Sequence, residues 1–588
     1  MGPGCPLHRT ACPARWGRAT VENSALVNSI ENQETQGYAV DWPWLIILKT
    51  IAETAREDFR MNKRSLAAIV TSLCLSACRE DDAPPVERPA EELTQEHMES
   101  LRNDPAALAD FLRDMPKGGD LHSHTSGAIT MEKLIQWGSE DGACVNTTTF
   151  VASNPCEPGA TPLSSTETDR ALYDAVMGAW SMEGYAGPLL DAHQHFFDAF
   201  GKYGAVQTDA RGDDIYADIL SRAGRHNQVY LELMQGFGAS TGGRLAEPLF
   251  SPTDAWDAPT LLARREQLIA LPAFQEALTR QASSIASMLG GSRAVMACDT
   301  PQADPGCDVE VRLIVSANRT AERANVFGQW VYAFELAQRV PQIVGVNLVS
   351  PEEHPNSLAY YDDEMFALGM LDDHNDSTPG RKEVHVSLHA GELIPEVLRP
   401  EDQGHLRFHI RNAVKLAHAE RIGHGVDVLS EADGEGVEAL LRDMHEAGVL
   451  VEICLSSNNV LLGVKGADHP LSAYLVEGVP VTLATDDSGI LRGDITQEYL
   501  AAASVQGLDY KTLKQLARAS LEHAFVEGNS LWAQRDVFSG LVAACAQDVA
   551  GAAGPSSSCQ DFLSTNRRAA LQWRLEAQLS NFEQRFAN

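Results

Sequence analysis

The chain has no Cys-x-x-Cys pair, no glycine-rich phosphate loop and no His-Glu-x-x-His motif. The first absence excludes zinc ribbons. The second, with few clustered basic residues, argues against phosphorylated substrates. The third excludes the helical metalloprotease signature, which His445-Glu-Ala-Gly-Val449 fails to complete. Positive charge is scarce as well: 46 Lys and Arg stand against 81 Asp and Glu, a net charge of -35. Such a surface repels phosphates, so no nucleic-acid partner is expected, whereas a neutral small molecule meets no penalty. There is no internal repeat and no long low-complexity region. With 588 residues, 44% of them hydrophobic and 22% charged, the chain can bury a large core.

The apolar stretch Leu66 to Leu75 is too short to span a bilayer as a helix. It follows the basic start Met61-Asn-Lys-Arg64 and ends in Leu75-Ser-Ala-Cys78. This segment resembles a bacterial lipoprotein signal, with Cys78 the residue that would carry the lipid. The expected division is therefore a mis-assigned upstream extension over 1–60, a signal peptide over 61–78, an acidic tether over 79–104 and the folded domain over 105–588. The implied location is the bacterial cell envelope, with membrane contact only through the lipid on Cys78. Arg79, in place of the aspartate linked to inner-membrane retention, points to the outer membrane.

Cysteine usage agrees with export. Cys454 lies in the apolar run Val449 to Leu455 and is expected to be a buried thiol. The other six beyond Cys78 fall into sequence-local pairs around Gly-, Pro- or Ser-containing loops, predicting Cys144–Cys156, Cys298–Cys307 and Cys545–Cys559.

Eight runs read as strands: 119–124, 229–234, 309–316, 343–350, 384–389, 421–424, 450–455 and 480–485. Helix-like segments such as Ala321 to Arg339 separate them. Alternating β and α units imply a parallel sheet, and eight of them a (β/α)8 TIM barrel. The connections after the first and second strands are oversized and read as insertions. The tail, Leu508 to Asn588, reads as amphipathic helices closing the barrel.

In such a barrel the chemistry sits where the strands end. Polar residues accumulate there: His122 and His124, Ser387-Leu-His-Ala-Gly-Glu392, Arg421-Ile-Gly-His-Gly425, Cys454-Leu-Ser-Ser-Asn458 and Thr485-Asp-Asp-Ser488. His122 and His124 share a strand face, since residues i and i+2 point the same way. His193 and His195, in a helical segment, diverge and are not expected to chelate together. Three imidazoles and one carboxylate suit Zn2+, one ion per chain, with a position open for water. The expected ligands are His122, His124, His389 and Asp486, with His424 as base and Glu392 as acid.

Met115-Pro-Lys-Gly-Gly-Asp-Leu-His-Ser-His124, His389-Ala-Gly-Glu392, Arg421-Ile-Gly-His-Gly425, Cys454-Leu-Ser-Ser-Asn458 and Thr485-Asp-Asp487 together resemble the adenosine deaminases, particularly the secreted growth-factor-related branch. The likeness runs from about Pro105 to about Gly528 in the same order. It implies a metal-dependent-hydrolase barrel converting adenosine, and 2′-deoxyadenosine, to inosine and ammonia. Glu392 would protonate purine N1, His424 would orient and deprotonate the attacking water, and Asp487 would meet N7. Gly391 would let the ring lie against the backbone. Ser126 stands where many members carry a carboxylate for the ribose 5′-hydroxyl, Ser350 where a glycine commonly meets N3, and Ser488 where proline is frequent. The alternatives are a deaminase of adenine or of an N6-substituted or modified purine nucleoside, or a purine-binding protein without turnover. The other zinc deaminase architecture, with Pro-Cys-x-x-Cys, is excluded by the missing Cys-x-x-Cys.

Overall fold

The computed structural model describes residues 88–587 other than 433 and 435. The expected upstream extension, signal peptide and Cys78 lie outside the described residues. Eight parallel strands stand side by side in chain order: β1 Gly118–His124, β2 Gln228–Gln235, β3 Glu310–Asn318, β4 Ile343–Val349, β5 His385–Ala390, β6 Arg421–His424, β7 Leu450–Ile453 and β8 Val481–Leu483. A parallel bridge between Ser123 and Asp486 joins the two outermost strands and closes the barrel. Every strand foreseen from hydrophobic patterning is present, with ends shifted by a few residues at most. Short, β-branched, apolar runs bounded by turn residues carry that signal strongly.

The helices used below are α1 Ala90–Leu101, α2 Leu189–Tyr203, α3 Arg323–Ala337, α4 Leu455–Leu462, α5 Tyr510–Glu522 and α6 Arg567–Gln584. α3 is the foreseen crossover between β3 and β4, apolar nearly all round and buried. Between β1 and β2 the first insertion holds a small three-stranded sheet, tied by Cys144–Cys156, and then α2. The second insertion, between β2 and β3, is mainly helical and ends in the Cys298–Cys307 loop. The tail differs in part from expectation. α5 packs on β1 and β8 as a closing helix. A hairpin, Trp532–Gln534 with Ser539–Leu541, and the Cys545–Cys559 bridge form a small second core with α6. Cys454 is the buried free thiol.

The 79–104 tether is corrected over its second half. Residues 90–101 form α1, which buries Thr94 and Met98 and packs against α5 and α6. Glu91 pairs with Lys514 of α5 at 2.7 Å. Charge density suggested a solvated linker, but one turn-spaced apolar stripe suffices to dock an otherwise polar helix. The folded unit therefore extends back to Arg88. Among the described residues no helix is long and apolar enough to cross a membrane.

Two features fix the end of the barrel opposite the strand C-termini. Gly118, at φ +68°, sits where a Cβ would lie 2.2 Å from the Ala517 carbonyl, so β1 can start against α5 only without a side chain. Inside the barrel, Arg421 lies between Glu232 (2.5 Å) and Glu452 (2.8 Å) and over the ring of Phe525 (3.7 Å). This paired, stacked guanidinium lets two carboxylates be buried, one of which reaches the site.

Candidate active site

Barrel closure assembles the site. The amide of Asp486 donates to the His122 carbonyl (2.9 Å) and that of His124 to the Asp486 carbonyl (3.3 Å), so the ends of β1 and β8 are laced together. His124 Nε2 then lies 3.3 Å from His122 Nε2, 3.1 Å from His389 Nε2 and 3.4 Å from Asp486 Oδ1. One donor atom from each of the four residues falls within 4.8 Å of every other. His424 Nε2 is 3.7 Å from Glu392 Oε1, and these two converge with Asp486 as a second group. His424 and Asp486 have φ of +69° and +55°, left-handed conformations that non-glycine residues rarely hold. Strain of this kind persists where surrounding structure over-determines it, and here it aims both side chains across the barrel mouth.

The outward faces of the rings fix their chemistry. His122 Nδ1 meets the Glu452 carboxylate (2.8 Å) and His389 Nδ1 meets Asn347 Oδ1 (2.8 Å). Both partners accept, so both Nδ1 atoms carry the proton, and in the neutral rings both Nε2 atoms present bare lone pairs. Lone pairs and a carboxylate aimed at one buried point need a cation between them, and this donor set fits zinc. Burial lowers His124 to about 4, and burial with the neighbouring imidazoles holds His389 well below its usual range, so both stay in the neutral, ligating form. Burial would raise Asp486, but His424, His122 and His124 outweigh it and keep the carboxylate at about 2.

The remaining carboxyls behave oppositely. Burial pushes Glu392 well above the usual range, and Asp486, Glu352 and Glu353 add like charge. Burial and Asp486 do the same to Asp487, whose Oδ1 is buried without a partner. Glu352 grips the loop after β5, accepting from the amides of Gly391 (3.1 Å) and Glu392 (2.8 Å) and from His409 Nδ1 (2.6 Å). Gly391, at φ +73°, is required from behind, because a Cβ there would lie 2.4 Å from Asp427 Oδ1. Its amide is already occupied by Glu352.

A cavity of about 440 Å³ opens over the site. His124, His389, Glu392, His424, Asp486 and Asp487 form its floor, with Ser126 and Ser350 on the walls. Among the described residues no Lys or Arg lines it. Sequence reasoning missed the third wall, Phe196, Phe197 and Phe200 of α2. The aromatic run was visible, but its 3–4 spacing reads equally as core packing. It also missed Glu452 and Asn347, whose only signal was a polar residue inside an apolar strand, and Glu352, which lies in the loop after β4. His193 and His195 diverge as expected: His193 Nε2 bonds Glu353 (2.8 Å), while His195 Nε2 donates to the Gly178 and Ser181 carbonyls (both 3.0 Å).

Residues 291–536 match the family model described as Adenosine deaminase. Over these residues the barrel is similar to the adenosine deaminase family. This match includes His389, Glu392, His424 and Asp486 but not β1, so His122 and His124 join the set by geometry. An adenine deaminase of Rhizobium leguminosarum bv. trifolii (strain WSM2304) is 29% identical over 221 residues, 37% of this chain and 59% of the relative. An adenosine deaminase of Escherichia coli (strain SE11) is 33% identical over 153 residues, 26% of this chain and 41% of the relative. The chain thus spans about two fifths to three fifths of the curated relatives it matches. Among solved structures, the Arabidopsis N6-mAMP deaminase aligns with a TM-score of 0.45 at 19% identity, covering 71% of this chain and 96% of that one.

Proposed function

We propose that the protein is a zinc-dependent deaminase converting adenosine, and 2′-deoxyadenosine, to inosine and ammonia. The observation that carries this reading is the convergence of His122, His124, His389 and Asp486 within 4.8 Å, beside a carboxyl group that burial keeps neutral. Zinc, when bound, supplies a nucleophilic water at neutral pH by lowering its pKa to about 7. The chain's own groups do the rest. Glu392 starts protonated and passes its proton to purine N1, which makes C6 electrophilic. Asp487, also protonated, donates to N7 and fixes the ring edge. His424, beside Glu392, orients the incoming oxygen toward C6. A tetrahedral carbon forms, ammonia leaves, and the 6-oxo purine remains.

An uncharged nucleoside fits the cavity better than a nucleotide, because no cationic side chain lines it to balance phosphate. Adenine is the competing substrate, favoured by Ser126 standing where a carboxylate would hold the sugar. Ammonia release from adenosine, 2′-deoxyadenosine, adenine and AMP, measured with metal content on the same protein, tests the proposal. Turnover fastest on adenosine with one zinc per chain is expected; adenine alone would move the assignment, and no turnover on any of them would reject it. We also propose export and lipid anchoring at Cys78, supported by the three disulfides.

A further inference from the structure

Behind His424 lies a buried chain of polar groups that the mechanism above leaves unused. The Leu471 amide lies 3.1 Å from His469 Nδ1. A backbone N–H can only donate, so His469 Nδ1 accepts and the neutral ring carries its proton on Nε2. That Nε2 is 3.1 Å from Asn458 Oδ1, which fixes the amide orientation. Asn458 Nδ2 then faces His424 Nδ1 at 3.1 Å. An amide NH2 also only donates, so His424 Nδ1 must accept. A proton there, in the other tautomer or the cation, would meet the Asn458 N–H head on. Each of the three side chains is at most 1% exposed, so no water substitutes for a lost partner.

We propose that His469 and Asn458 are positioning residues that lock His424 in its Nε2-protonated tautomer, making it a hydrogen-bond donor to the attacking oxygen and not the base that deprotonates water. The inference rests on the deaminase reading for the identity of that oxygen. The backbone amide sets the direction of every bond in the chain, and the result reaches His424 Nε2, the atom facing Glu392. Water therefore releases its proton to bulk solvent before attack, and His424 keeps its own throughout. Of the two roles expected of His424, orienting and deprotonating the water, this proposal keeps the first.

The test uses full-length, zinc-loaded protein labelled with 15N-histidine. Wild type is expected to show a pyrrole-type Nε2 and a pyridine-type Nδ1 at His424. Asn458→Asp supplies an acceptor in place of the NH2 and is expected to invert that pattern, lowering kcat about 10- to 100-fold with KM and zinc content unchanged. His469→Gln, which keeps a donor toward Asn458, is expected to retain the wild-type pattern and most of kcat. A pyrrole-type Nδ1 in wild type, or an uninverted pattern in a zinc-bound Asn458→Asp, overturns the proposal. Should no 6-aminopurine be turned over, the deaminase reading fails while the 15N pattern still decides the lock.

Discussion

Glu392 and Asp486 are both buried carboxyls at one barrel mouth, yet their environments drive them apart. Asp486 faces imidazoles and is held at about 2, whereas Glu392 faces Asp486, Glu352 and Glu353 and is pushed up. This separation supports the proposed roles, one as ligand and the other as acid. Glu392→Gln preserves shape and removes the proton, so turnover should fall by at least about a hundredfold with zinc retained. Unchanged turnover would remove Glu392 from its role. The sign of the pH dependence follows: a carboxyl with a raised pKa is protonated below that value and loses its proton as pH rises through it. Activity should therefore decline on the alkaline side of a kcat/KM profile; a profile still rising there would contradict the assignment. One step back, Glu452 ties His122 to Arg421. Glu452→Gln should weaken zinc binding about 10- to 100-fold, read by competition with a chelator.

At the scale of elements, α2 turns a barrel end into an enclosed pocket. Its Phe196, Phe197 and Phe200 face the site, and it is pinned by His193 to Glu353 in the loop after β4. Phe197→Ala should raise KM for the nucleoside several-fold and leave kcat within about twofold, because it removes apolar contact made equally in ground and transition states. An equal fall in kcat would instead make α2 part of the chemistry. The contrast between α2 and the strands explains what the sequence could reveal. Strand-end polar residues were legible because a closed parallel barrel brings all C-terminal strand ends to one face, so position along each strand fixes position in space. The aromatic face of α2 was not, since nothing local says which side of an insertion folds back over the barrel. α1 was misjudged for a related reason: Glu92, Glu96 and Glu99 form its solvent face, and only α5 and α6, far along the chain, supply the partner for Met98.

Across the whole molecule, the insertions and tail that depart from a bare barrel are the parts stapled by disulfides. Short loops between cysteines 12, 9 and 14 positions apart gain local rigidity from such bridges. The barrel needs none, because its core is continuous and the free Cys454 lies inside it. Reduction should therefore act on the periphery first. Replacing Cys144 and Cys156 by Ser should destabilise the first insertion by about 2–3 kcal/mol, raising KM through α2 while zinc content stays constant. Loss of zinc in that variant would show that the insertion supports the metal ligands themselves. The proposed anchoring at Cys78 is a separate matter, since that residue precedes the folded unit that begins at Arg88. Cys78→Ser should move the protein from the membrane fraction to the soluble one with kcat and KM unchanged. Retention in the membrane fraction would refute the lipid, and an altered kcat would mean that residues before Arg88 reach the site.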